Sequence, residues 1–128
     1  MDLRTPLARA LGHGAAHAGT EHWWSQRLSA VALLLLSAWF LVSMLLLPGF
    51  SFDTVQEWMA RPWNGMLMFL LAATTAWHSS LGLQVVIEDY VHQPFVRVVS
   101  LILSKFIHAL LAVVALFAVV ILVLGADS

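Results

Sequence analysis

Long apolar runs broken by short polar segments organise the chain. From Leu28 to Leu47 there are 20 residues without a formal charge, 17 apolar and three serine. At 1.5 Å per residue this covers about 30 Å, the thickness of a bilayer's hydrocarbon layer. From Trp63 to Ile87 a second run of 25 uncharged residues is interrupted by Thr74, Thr75, His78, Ser79, Ser80 and Gln84, with Arg61 and Glu88 as its flanks. Phe106 to Leu124 is a third run of 19 residues whose only polar member is His108. Its helix is expected to begin earlier, near residue 97, with Lys105 bent toward the headgroups or turned into the bundle. The pattern predicts an all-α membrane protein with spans at about 28–47, 63–87 and 97–124.

The first loop also has a pattern. Asp53 followed three residues later by Gln56 has the form of a helix cap, and Val55, Trp58 and Met59 share one helical face. A short interfacial helix ended by Pro62 is expected, with Trp58 and Trp63 at headgroup level. Residues 1–21 read as an arm and 22–128 as the three-helix membrane unit. Leu3 to Ala18 mixes Arg4, Arg9, Gly and His without a continuous apolar core, so a cleaved signal is not expected.

Composition narrows the class further. The chain is 61% hydrophobic and 10% charged, with mean hydropathy +0.88, whereas a soluble domain carries roughly 25% charged residues. A net charge of -1 leaves no basic excess for a phosphate backbone, which argues against nucleic acid as a partner. Without cysteine the chain can hold no disulfide, zinc thiolate or iron–sulfur cluster. Arg4, Arg9, Arg27, Arg97 and Lys105 lie toward one side of the predicted topology and Arg61 toward the other. This bias predicts a cytoplasmic N-terminus and second loop, and a C-terminus on the opposite, periplasmic side.

Candidate chemistry concentrates in the second run. His78 lies nine residues before Ile87, about 14 Å below the end of its helix, and an ionisable side chain at that depth needs a partner. One reading makes it a haem ligand, with Gly82 on the same face letting a flat macrocycle approach the backbone. The other has His78 bonded to a hydroxyl on a neighbouring helix, with Gly82 as a packing contact. Asp89 falls within about 20° of His78 on the helical wheel. Tyr90, the one tyrosine, can donate to a quinone carbonyl, and Asp89 can orient or pass a proton; both also suit plain interfacial anchoring. In Glu21-His22-Trp23-Trp24-Ser25-Gln26-Arg27, the Arg27 fork matches a carboxylate such as a haem propionate, or serves as a positive-inside anchor. His22 is weakly explained by either. His13 and His17 are expected to be solvated. His108 lies at a depth close to that of His78 on the third run, which leaves open a pairing of the two on one iron.

His78-Ser79-Ser80-Leu81-Gly82-Leu83-Gln84-Val85-Val86-Ile87-Glu88-Asp89-Tyr90 resembles the end of the second span in the D-type hydrophobic membrane-anchor subunits of succinate dehydrogenase, respiratory complex II. Thr20 to Leu33 is similar to the alphaproteobacterial and mitochondrial-like start of the first span in that family, and the resemblance extends from about Gly19 to Leu124. It implies three transmembrane helices packed with a second, C-type cytochrome b anchor subunit of three helices, the pair holding one haem b with one axial histidine each. His78 would then be the axial ligand to the haem iron in this chain. Tyr90 and Asp89 would belong to the ubiquinone site, and Arg27 with, less directly, His22 would lie near the haem propionates and the quinone entrance.

The resemblance further implies a flavoprotein subunit that oxidises succinate and an iron–sulfur subunit that passes electrons on. No catalytic residue falls to this chain, which would not be an enzyme alone. The membrane would be a bacterial cytoplasmic one or a mitochondrial inner one. Lys105, His108 and the loop His92-Gln93-Pro94 depart from the family pattern. Two rival readings remain beside it: a small proton-coupled carrier using His78 and Asp89, and a purely structural assembly subunit without cofactor.

Overall fold

The structure is a computed structural model that describes residues 16–125, with side chains from Gly19 onward. Four helices follow one another: α1 (Ala16–Leu45), α2 (Phe52–Ala60), α3 (Pro62–Tyr90) and α4 (Pro94–Leu124), with no strand among the described residues. Gly19–Leu45, Pro62–Tyr90 and Pro94–Leu124 are each long and apolar enough to cross a bilayer. The chain is therefore an all-α membrane protein with three spans.

Each long helix extends beyond its apolar run. α1 starts 12 residues before Leu28 and stops two short of Leu47; α3 covers 62–90 rather than 63–87, and α4 begins at Pro94 rather than near 97. Once nucleated, a helix gains one hydrogen bond per added residue, so it continues through polar residues such as Glu21 to Arg27. The apolar run reports only the part that lipid must solvate. Of the expected arm, residues 1–15 with Arg4, Arg9 and His13 lie outside the described residues, as does the side chain of His17.

Prolines set the two later starts. Pro62 and Pro94 occupy the first turns of α3 and α4, where a missing N–H costs nothing and the fixed φ suits the helix. Arg61 alone separates α2 from α3 and caps both.

Two expectations for α2 are corrected. Ser51, not Asp53, is its N-cap: the Ser51 hydroxyl accepts from the Thr54 N–H at 3.3 Å, and Asp53 sits inside the first turn, where its charge suits the helix dipole. Trp58 is buried, stacked on Trp39 of α1 with ring centroids 5.6 Å apart, rather than turned outward as an anchoring tryptophan would be. The same amphipathic face that suggested an interfacial helix turns inward because α2 folds back on the bundle. Trp58 and Met59 form the main buried cluster with Val119 of α4, and the Asn64 amide donates to the Trp58 carbonyl at 2.9 Å.

α3 is the middle of the three long helices. It packs against α1 and α4, whose backbones do not meet each other. Where it enters the bundle, Gly65 is buried so closely that an added Cβ would lie 2.6 Å from Val123 Cγ2 and 3.1 Å from the Met59 carbonyl oxygen. Large side chains along every span stay exposed, Leu34, Leu70 and Leu110 among them. The layer of three helices buries little of its own apolar surface and leaves the rest to lipid and partners.

Candidate functional site

His78 lies on the α1 side of α3, half-buried. Its Nδ1 is 2.9 Å from the hydroxyl of Ser29, which is itself buried. The Ser29 hydroxyl donates to the Gln26 carbonyl at 3.1 Å. A hydroxyl has one proton, so this bond leaves Ser29 to accept from His78 Nδ1–H. In that order the ring is the Nδ1–H tautomer and its Nε2 lone pair is unused; with the Ser29 proton given to Nδ1 instead, the two ring nitrogens exchange roles. Metal-bound histidines are commonly held in this way through their second nitrogen.

The ring lines a cavity of about 560 Å³ between α1 and α3, shared with His22, Gln26, Arg27 and Val85. His22 Nε2 is buried there without a hydrogen-bond partner among the described residues. An orphaned buried nitrogen is costly unless a ligand satisfies it. The Arg27 guanidinium stacks over Trp23, 5.5 Å from the ring centroid, an arrangement that holds the cation at the mouth, its N–H groups without a partner among the described residues. Gly82 faces α1: an added Cβ would lie 3.7 Å from the Gln26 amide nitrogen, so glycine keeps open a gap that a side chain would narrow.

Three of the residues singled out from sequence therefore share one groove, His22, Arg27 and His78, and Gly82 abuts Gln26 of its lining. Asp89 and Tyr90 do not line it. Both are exposed on the last turn of α3, Tyr90 to 78%. Val85 and Asp89 still continue the His78 stripe up the helix, at about 340° and 20° from it. The chain beyond is tied down by His92, whose Nδ1–H donates to the Tyr90 carbonyl at 3.0 Å.

His108 is not brought to His78. It lines a separate cavity between α3 and α4, and its Nδ1–H donates to the Ser104 carbonyl at 2.8 Å. No cluster of three or more His, Cys, Asp or Glu able to hold a metal ion occurs among the described residues. Sequence reasoning missed Ser29 and Gln26. The available signal was their spacing from His22, with Gln26 four and Ser29 seven residues on, which puts all three on one face of α1.

With this geometry in view, relatives decide the family. Residues 1–123 match the succinate dehydrogenase/fumarate reductase transmembrane subunits. The chain belongs to this family. A succinate dehydrogenase hydrophobic membrane anchor subunit from Rickettsia bellii is 32% identical over 114 residues, covering 89% of this chain and 90% of the relative. The corresponding subunit of Paracoccus denitrificans is 32% identical over 90 residues, 70% of each chain. A succinate dehydrogenase membrane anchor subunit from Reclinomonas americana is 34% identical over 92 residues, 70% of this chain and 77% of the relative. No solved structure matches. Family and spans together make the chain an integral membrane protein of the succinate dehydrogenase type.

Proposed function

We propose that the chain anchors a succinate:ubiquinone oxidoreductase in the membrane, supplies His78 as one axial ligand of haem b, and contributes Tyr90 and Asp89 to the ubiquinone site. The anchor role and association with catalytic subunits follow from family membership. The finer assignments rest chiefly on one observation: His78 is tied through Nδ1 to Ser29, so its Nε2 is free beside a cavity that also holds an orphaned His22 nitrogen and the Arg27 cation.

The residues present fit such a group. His78 Nε2 suits an iron, Gly82 leaves space for a flat ring, and Arg27 and His22 suit its carboxylates. When bound, the haem would supply a one-electron store within the bundle. His78 orients and holds it, Arg27 balances its propionate charge, and the apolar walls exclude water. At the last turn of α3, the Tyr90 hydroxyl donates to a quinone carbonyl without changing charge, and Asp89 accepts and passes protons for the two-electron, two-proton reduction.

A C-type anchor subunit of three helices would provide the second axial histidine, and flavoprotein and iron–sulfur subunits would dock where α3 ends and α4 begins. The bias of Arg and Lys puts that end, with the N-terminus, on the cytoplasmic side of a bacterial membrane and the C-terminus on the periplasmic side.

The test is a dithionite-reduced minus oxidised visible spectrum of the complex, purified gently through a tag on this chain, beside its His78→Leu variant. A b-type signal in the wild type that vanishes or shifts in the variant is the expected result, with co-purification of the catalytic subunits checked for both. A histidine that only packed against Ser29 would leave the signal intact.

A further inference from the structure

About 140° around α3 from the His78 stripe, a second cavity of about 470 Å³ opens between α3 and α4. We propose that it binds one bilayer phospholipid with an anionic headgroup, the phosphate against Lys105 and an acyl chain running along the alanines below.

The walls have a gradient. On α4 they run from Lys105 and His108 to Ala112 and Leu116; on α3 from Gln84 and Ser80 to Ala76 and Ala73. The helices are antiparallel neighbours, so both gradients point the same way: polar groups at one end, small apolar groups toward the middle of the membrane. Lys105 to Leu116 is eleven residues, about 16 Å along the helix axis. A slot of this length with one wet end has the polarity of a lipid rather than of a compact solute.

Depth agrees with this. Phe106 to Leu124 is a run of 19 residues whose only polar member is His108, and at 1.5 Å per residue it spans about 28 Å, close to the thickness of the hydrocarbon layer. Lys105 stands just before that run, about 4.5 Å nearer the headgroups than His108, so its long side chain has to climb to meet a phosphate. Long cationic side chains at this level extend toward the headgroups.

Charge and hydrogen bonding choose the headgroup. The Lys105 ammonium and the Ser80 hydroxyl have no partner among the described residues. α4 contains no Asp or Glu. Glu88, one turn beyond Gln84 on α3, already accepts from the Gln84 amide at 2.8 Å. The cavity thus offers one cation and unspent donors, and basic pockets between spans are where anionic lipid headgroups bind. His108 is no rival acceptor for the lysine through Nδ1, which is committed to Ser104.

The experiment uses the whole complex, delipidated and exchanged into phosphatidylglycerol or phosphatidylcholine, with retained lipid counted by native mass spectrometry. Wild type is expected to hold one phosphatidylglycerol about tenfold more tightly than phosphatidylcholine. Lys105→Gln should erase the preference and Lys105→Arg keep it. Ala112→Phe, which fills the chain slot and spares the cation, should lose the retained lipid. A preference that survives Lys105→Gln, lipid still retained by Ala112→Phe, or equal retention of both lipids by the wild type would each overturn the proposal. So would a photocrosslink from position 112 that captures a polypeptide of the complex in place of lipid.

Discussion

Ser29 has a single hydroxyl proton, and its destination sets the state of His78. Given to Gln26 O, 3.1 Å away, it obliges His78 Nδ1 to donate; given to Nδ1, it would put the other ring proton on Nε2 and block iron. Ser29→Ala removes this control and leaves a part-buried Nδ1–H without its acceptor. On the proposed ligation, haem retention should fall about tenfold, the lower end of what outer-shell partners contribute. Ser29→Thr should restore it, and a haem-to-protein ratio on the purified complex measures both. The serine could be seen in the sequence but not its importance. Nothing in an apolar run distinguishes Ser29 from Ser37 or Ser43 until the neighbour that it faces is known. His78 was legible for the opposite reason: an ionisable group in hydrocarbon needs a partner whatever the fold.

For the elements, the spans were legible because apolar length has one physical use in this range. Their ends were not, since hydropathy falls silent where a helix leaves lipid, and α1 therefore begins at Ala16, well before its apolar run. Trp58 was misread because a rule for aromatic side chains at interfaces takes no account of a helix that folds back; its indole stacks on Trp39 instead. Among the described glycines, Gly65 sits in the tightest joint between elements. Adding a methyl group there meets Val123 Cγ2 at 2.6 Å and the Met59 carbonyl at 3.1 Å. The valine can turn, but the carbonyl is backbone and must move with α2. Gly65→Ala should cost about 1–3 kcal/mol, the usual range for overpacking, read as a lower Tm of the purified complex. An unchanged melting curve would mean that α3 and α4 separate at no cost.

In the whole molecule, the informative contrast is between a groove that this chain nearly completes and a residue that it leaves bare. The His78 cavity has walls from two helices, whereas Tyr90 is exposed and has no wall of its own. A quinone site built on Tyr90 must be finished by other subunits. Tyr90→Phe should accordingly reduce quinone turnover of the assembled complex by about 10²-fold or less, in keeping with loss of one positioned donor, while haem content and the melting temperature stay put. Equal loss of all three would make Tyr90 a folding contact. Which groove each histidine faces, and that His78 and His108 use different ones, was not legible at all: a helical wheel gives relative angles within one helix but not the direction of its neighbours.

The central position of α3 has a mechanical consequence. With the His78 stripe toward α1 and the proposed lipid slot toward α4, an error of rotation in the helix is felt on both sides at once. A roll of about 20° would swing side-chain atoms on a radius of about 6 Å through about 2 Å, enough to break the Ser29 bond and misalign the opposite slot together. The glycine joint near its start, about 20 Å from His78 along the axis, acts like the bit of a key: it fixes the angle at which the far end of the shaft is presented.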